Sequence, residues 1–301
     1  MSKAKVIAFC PAHITGFFKP ELAFNKPELI GSTGVGFSIK QGITTSVTVE
    51  GSYKTSIKIN NIGYKSNDNK VSKFIVNEFL KLTDKQLVIN ITHNTTIPIG
   101  YGLGCSGAAA LSLSLALNKA FNFKYSKIEV GQIAHKAEII CNTGLGDVLA
   151  TYYGGFEIRT KGGAPGIGSV EKIHINSKSM VIIGCLSSIR TKKLIQKSKK
   201  VSALGDEMVN RFYQTKDSND FQDMSLKFAH HMNIITPKMN SIITELHQNK
   251  IKCGVALFGE TIFTLIHQNM EKKVLKIMEK YQCTIIKSKI DYAGARIKNH
   301  V

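Results

Sequence analysis

Apolar and polar residues alternate along residues 43–50 (ITTSVTVE), 56–60 (SIKIN) and 87–94 (LVINITHN), and β-branched side chains dominate the first of these. A period of two puts one face of a strand in a core and the other in water, so all three predict strands. Residues 6–9 (VIAF) are a short apolar run that stops before Pro11, and read as a fourth. Gly51 and Ser52 stand where a turn would join the first pair as a hairpin.

The period then changes. Phe74, Ile75, Phe79, Leu80 and Leu82 recur at helical spacing over residues 71–82. Residues 108–120 mix small and large apolar residues, with serines at 112 and 114, as in a helix buried on most sides. Ser126-Lys127-Ile128-Glu129 has the form of a capping box, and Asn142-Thr143-Gly144 stops the helix it opens near Cys141. Residues 147–153 begin a further helix that Gly154 and Gly155 end.

Four glycines and a proline crowd residues 161–168 (KGGAPGIG), the best linker in the chain. Beyond it, residues 180–185, 254–258 and 262–266 predict strands, and residues 191–198, 220–232 and 270–281 predict helices. Strands and helices mix without a βαβ rhythm. The expectation is an α+β protein of two domains, residues 1–165 and 166–301.

Composition narrows the class. The 301 residues are 43% hydrophobic, enough to bury a sizeable core, and no segment has the low complexity of a disordered tail. No apolar run is long enough for a membrane helix or a signal-peptide core, so a cytoplasmic protein is expected. The six cysteines, at 10, 105, 141, 185, 253 and 283, form no CxxC and are expected as reduced thiols. The net charge of +19 would suit a nucleic acid, but the lysines are scattered and no aromatic–basic interleaving accompanies them. A solvated lysine surface facing small anions is the simpler reading, with no nucleic-acid or membrane partner.

The chemistry concentrates in residues 98–108 (PIGYGLGCSGA), between a strand and a buried helix. Glycines at 100, 102 and 104 let backbone approach a ligand closely. Peptide N–H groups at the helix start, with about half a positive charge from the helix dipole, make an anion site there. A tight strand-to-helix turn would use the same glycines. Ser106 favours the phosphate site, because a hydroxyl at the helix entry can help hold Mg²⁺ between phosphates. Gly-Lys never occurs, which excludes a Walker A loop. Gly102 to Gly107 fits GxGxxG, but the acid-tipped second strand of a dinucleotide fold is replaced by the capped helix. Glu138, late in that helix, and Asp147, after a glycine turn, can fold back toward the loop. One would hold Mg²⁺ with Ser106 and the other would take the proton of an acceptor hydroxyl.

These residues resemble the second motif of the GHMP kinases, P-x-x-x-G-L-G-S-S-A-A, with Cys105 in place of the first serine and an extra Gly107. Residues 254–259 (GVALFG) resemble the family's third motif. Residues 11–18 (PAHITGFF) are similar to the PGHITGFF segment of the archaeal pantoate kinase subgroup, with Ala12 for glycine, and residues 31–36, 163–168 and 294–296 resemble that subgroup too. The resemblance covers essentially the whole chain. It implies a ribosomal-protein-S5-like N-terminal nucleotide domain, a ferredoxin-like C-terminal domain, and ATP-dependent phosphorylation of pantoate toward coenzyme A. It implies ATP held by Pro98, Gly100, Gly102, Leu103, Gly104, Cys105, Ser106 and Gly107. Mg²⁺ is implied on Ser106 and Glu138, with Asp147 as the catalytic carboxylate. His13, Thr15, Arg159 and Arg190 are the candidates for the acceptor side, and the family allows a homodimer. A GHMP-type kinase for a homoserine- or mevalonate-like alcohol, or a non-catalytic binding protein of the same fold, are the alternatives.

Overall fold

A computed structural model describes residues 3–63, 69–188 and 202–298. The predicted helix at 191–198 and Arg190 lie outside the described residues. The chain runs β1 (Ala4–Glu21), β2 (Gly31–Gly51), β3 (Ser56–Ile62), α1 (Lys70–Leu80), β4 (Leu87–Thr95), α2 (Cys105–Ala120), α3 (Lys127–Cys141), α4 (Asp147–Tyr153), β5 (Phe156–Lys161) and β6 (Ser169–Ile173). It continues with β7 (Ser179–Ser188), α5 (Ser202–Thr215), α6 (Ser218–His231), α7 (Pro237–Gln248), β8 (Gly254–Ala256), β9 (Gly259–His267), α8 (Glu271–Glu279), β10 (Thr284–Ser288) and β11 (Arg296–Lys298). The architecture is α+β, as expected.

Two sheets organise it. The larger has seven strands, with β11-β1-β2-β4-β3 in order and β5 and β6 branching from the first half of β2. Gly34–Phe37 of β2 faces Arg159–Phe156, while the strand's second half from Ile43 onward pairs with β4. The smaller sheet has four antiparallel strands in the order β10-β7-β9-β8. Helix α2 lies against β1, β2 and α3 and buries residues all round, which accounts for its mostly small and apolar sequence. Ser126 and Glu129 form the expected capping box on α3.

Two expectations need correction. Strand β1 does not stop before Pro11 but runs on to Glu21. Its pairing with β2 shifts register between Pro11 and Ala12, and a bulge is where a strand tolerates a residue without an N–H. Gly51-Ser52 does not close a β2–β3 hairpin. Strand β4 inserts between the two, antiparallel to β2 and parallel to β3. Leu87, Ile89 and Ile91 of β4 are buried, whereas β3 is mostly exposed, so the more apolar strand takes the central place.

The glycine-rich residues 161–168 connect β5 to β6 and fold back onto residues 28–31, with the Ala164 N–H donating to the Glu28 carbonyl at 2.8 Å. Aromatic rings join the larger sheet to the smaller one and to α6. Phe37 packs on Phe263 at 5.2 Å and Phe156 on Phe221 at 5.0 Å between centroids. Gly16 leaves room for this cluster, since a Cβ there would lie 2.5 Å from the Phe221 ring.

His93 on β4 is buried between Thr45 Oγ1 (2.8 Å) and Ser72 Oγ (3.0 Å). Burial presses its pKa down to about 4. The unfolded chain therefore binds a proton that the native state refuses. The stability tied to this ring is intact above about pH 6.5 and is lost as pH falls through about 4, a change of about 3 kcal/mol. Denaturant unfolding at stepped pH should show this slope, and His93→Gln should flatten it. Equal slopes for the two proteins would exclude His93 as its source.

Candidate active site

Strand β4 ends at Thr95, and the chain enters α2 through residues 96–104. Gly100, Gly102 and Gly104 take φ of 85°, 74° and 60°, a backbone region glycine enters without the cost a side chain would incur. Gly104 caps α2. The first intrahelical donor to reach back is Ala108, bonded to the Gly104 carbonyl at 3.1 Å, so the N–H groups of Cys105, Ser106 and Gly107 have no partner within the helix. Pro98, Gly100, Gly102, Gly104 and Ser106 are half-buried and Leu103, Cys105 and Gly107 are buried, so the loop borders solvent rather than lying sealed in the core.

The loop is also held from the other half of the chain. A Cβ on Gly102 would sit 2.1 Å from the Leu257 carbonyl oxygen, and one on Gly259 would sit 2.1 Å from the Tyr101 carbonyl carbon. Thr261 Oγ1 donates to the Tyr101 carbonyl at 2.8 Å. Residues 254–259 therefore form the back of the loop.

Ser106 Oγ donates to Glu138 Oε2 at 3.0 Å, and Thr143 Oγ1 donates to Glu138 Oε1 at 2.5 Å. Glu138 is buried. Burial, reinforced by Asp147, pushes its pKa up to about 7 against the two hydroxyls, which favour the charged form. A buried carboxylate served by hydroxyls is an oxygen donor set that a hard cation suits. Among the described residues no group of three or more His, Cys, Asp and Glu could hold a metal by itself, so phosphate and water oxygens would have to complete the shell. Cys105 turns its thiol toward the Pro98 carbonyl at 3.8 Å, and burial pushes its pKa up to about 12.

Asp147 opens α4 beside the same loop. Cβ atoms on Gly104 and Gly107 would lie 3.3 Å from Asp147 Cγ and 2.9 Å from Asp147 Cβ. One on Gly144 would lie 2.3 Å from Glu138 Oε2 and 3.5 Å from Asp147 Oδ2, so Gly144 is the gap between the two acids. His13 is fully buried and faces Asp147 from β1: Nδ1 is hydrogen-bonded with Asp147 Oδ1 and Nε2 with Glu157 Oε1, each at 2.9 Å. Arg159 Nη1 donates to Glu157 Oε1 at 2.6 Å, and Nη2 reaches Thr15 Oγ1 at 3.4 Å. The His13 N–H donates to the Leu103 carbonyl at 3.1 Å, which joins this side to the glycine loop.

A cleft opens here, lined by Thr15, Ser32, Asp147 and Arg159 among its polar residues and by Phe18, Leu145 and Phe258 among its apolar ones. The structure thus brings Ser106, Glu138, Asp147, His13, Thr15 and Arg159 to one place. Sequence reading missed Glu157, Ser32, Thr143 and Phe258. Glu157 and Arg159 share one face of β5 at a spacing of two, a pattern that reads as a solvated strand face until both prove buried.

Comparison with known proteins agrees with this geometry. Residues 69–155, which contain the loop and both acids, match the model of the GHMP kinases N terminal domain. The pantoate kinase of Methanocaldococcus jannaschii is 33% identical over 274 residues, covering 90% of this chain and 96% of the relative. The chain belongs to the GHMP kinase family. A second relative, the pantoate kinase of Methanospirillum hungatei, is 28% identical and covers 95% of each chain. A solved structure described as a phosphotransferase related to the CoA biosynthesis pathway superposes with a TM-score of 0.88 at 23% identity, covering 98% of this chain and 99% of its own. This GHMP kinase is a small-molecule kinase that uses ATP. Among the described residues no helix is long and apolar enough to cross a membrane.

The loop glycines differ in what they exclude. Gly102→Ala must push a methyl against the Leu257 carbonyl as well as hold a left-handed backbone, and should lose more than about 2 kcal/mol of stability. At Gly100 a methyl meets only Ser188 Cβ at 3.2 Å, so Gly100→Ala carries mainly the left-handed backbone and should lose about 1 kcal/mol. Chemical denaturation of the two variants checks the ranking, and equal losses would refute the Gly102–Leu257 contact.

Proposed function

We propose that this kinase phosphorylates the primary hydroxyl of pantoate with ATP, giving 4-phosphopantoate on the way to coenzyme A. One observation carries the choice of acceptor. Arg159 Nε is buried without a hydrogen-bond partner among the described residues, on a side chain that lines the cleft with Thr15 and Ser32. An orphaned cationic N–H at a cleft wall is satisfied by an anionic ligand. Pantoate has one carboxylate, two hydroxyls and a dimethyl carbon. The carboxylate would meet Arg159 with Thr15 or Ser32, and the dimethyl carbon would lie against Phe18, Leu145 and Phe258. The pantoate kinases similar to this chain along nine-tenths of its length support the same acceptor.

Residues divide the work as follows. The backbone of residues 100–107 and the α2 entry hold the phosphates. Ser106 and Glu138 would hold Mg²⁺, which when bound offsets charge on the β- and γ-phosphates. Asp147 orients the acceptor hydroxyl and takes its proton as that oxygen bonds to the γ-phosphorus and the bond to the ADP oxygen breaks. His13 fixes Asp147 from behind. Residues 1–165 form the nucleotide-binding domain and residues 166–301 the C-terminal one, with β6 and β11 returning from the second to complete the larger sheet.

ADP release measured across pantoate, homoserine and mevalonate tests the acceptor. Pantoate should exceed the others in kcat/KM by at least about a hundredfold. A higher value for either competitor would overturn the assignment. Asp147→Asn should lower kcat by about a thousandfold with ATP affinity intact. Near-parental turnover would remove Asp147 from the chemistry.

A further inference from the structure

The carboxylate that faces the acceptor is the half-buried end of a continuous chain whose other members are buried: Asp147 Oδ1 to His13 Nδ1, His13 Nε2 to Glu157 Oε1, and Glu157 Oε1 to Arg159 Nη1. We infer that Glu157 is a positioning residue of this kinase, acting through a doubly protonated His13 to hold Asp147 in place with its Oδ2 turned toward the acceptor. The inference rests on the kinase reading above and adds the group that readies its carboxylate.

The hydrogen bonds of the ring suit a positive charge, which would also offset Glu157 Oε2, a buried carboxylate oxygen without a hydrogen-bond partner among the described residues. A carboxylate oxygen accepts and does not donate. Both ring nitrogens of His13 lie 2.9 Å from carboxylate oxygens, so both must carry hydrogen if both acids are ionised, and a ring with two N–H groups is an imidazolium. Burial alone would depress the pKa of His13, but Glu157 and then Asp147 outweigh it and leave it raised above the ordinary value. The groups around the ring are accounted for on every side. Strand β5 presents Glu157 and also Arg159, whose Nη1 lies 3.4 Å from Nε2, α4 presents Asp147, and β1 itself presents the neutral Thr15 hydroxyl 3.5 Å from Nδ1. Signs alternate along the chain from Arg159 through Glu157 and His13 to Asp147.

Position follows from the same bonds. Oδ1 of Asp147 is occupied by His13, and Oδ2 lies on the Gly144 side toward Glu138. The ring has no freedom to turn away, because Gly36 backs it so closely that a Cβ there would lie 2.6 Å from Nε2. Glu157 touches neither the cleft nor the glycine loop and is wholly buried, so its effect on turnover must pass through His13 or Arg159.

The test separates these routes. Glu157→Gln keeps an acceptor for Nε2 but removes the charge that holds the ring protonated. It should lower kcat by at least about tenfold and move the acid limb of the kcat–pH profile upward by about one unit, because Asp147 then loses its cationic partner. KM for ATP should stay within about twofold of the parent. His13→Asn should move the acid limb by a similar amount. Glu157→Gln placed on His13→Asn should move it no further, since the route is already cut. An unmoved limb in Glu157→Gln, or an equal further shift in the double variant, would overturn the inference. A measurement on the unmodified kinase covers the case of poorly folding variants: the imidazole ¹⁵N shifts of His13 should be those of a doubly protonated ring at about pH 7.5. Shifts of a neutral tautomer would reject the proposal. They are read without turnover, so absence of kinase activity would count against the kinase reading alone.

Discussion

Four ionisable groups bonded in series, Arg159, Glu157 and His13 buried and Asp147 half-buried at the cleft, set the terms for the rest of the structure. Burying ions is costly unless each is paired at close range. The pairing here takes one group from β1, two from β5 and one from the first turn of α4. The glycines around it follow from the space these side chains occupy. Added Cβ atoms would approach Arg159 Nη2 within 2.6 Å at Gly34, His13 Nε2 within 2.6 Å at Gly36, and Arg159 Nε within 3.0 Å at Gly146. Strand β2 is thin where β1 and β5 must meet across it. That is why β2 can pair with β5 over its first half and still leave a large arginine and a histidine wholly buried.

The second constraint joins the halves of the chain. Tyr101 and Gly102 meet Leu257 and Gly259 backbone to backbone, and the rings of Phe37, Phe156, Phe221 and Phe263 close the space beside them. Phe258 stands at this seam with φ of 68°. A bulky residue holds that conformation at a cost of about 1–2 kcal/mol, and keeps it when its surroundings over-determine it. Its ring packs 5.7 Å from Phe18 and lines the cleft with it. The cleft is thus a property of both halves: polar residues from the larger sheet face an aromatic supplied partly by the smaller one.

Much of this was legible in the sequence wherever the signal is local. The glycine loop, Ser106, Glu138 and Asp147 lie within fifty residues of each other, and turn and capping chemistry alone brings them together. His13 and Arg159 could be named as polar residues near the site but not given partners, because their bonds span 134 to 146 positions of chain. Glu157 left no signal at all. In the run FEIRTK its charge alternates with apolar residues as on any half-exposed strand, and only the layer of α5 and α6 beyond the sheet makes both faces interior. The β2–β3 hairpin failed for a related reason. A turn residue pair predicts a reversal, but the central place in a sheet goes to the strand with most to bury, and β4 has more than β3.

The departures from the family's loop pattern have geometric reasons of their own. Where the GHMP motif has its first serine, Cys105 points at the Pro98 carbonyl, while Glu138 is served by Ser106 and Thr143. Of Cys105 and Ser106, Ser106 is the one bonded to Glu138. The additional Gly107 sits where α2 and α4 touch. A side chain there would press on the Asp147 backbone side at 2.9 Å and tilt the first turn of α4 away from His13. In this chain the carboxylate is anchored by an imidazole from β1, a bond that needs α4 close against α2, and a glycine at the crossing is what allows that approach.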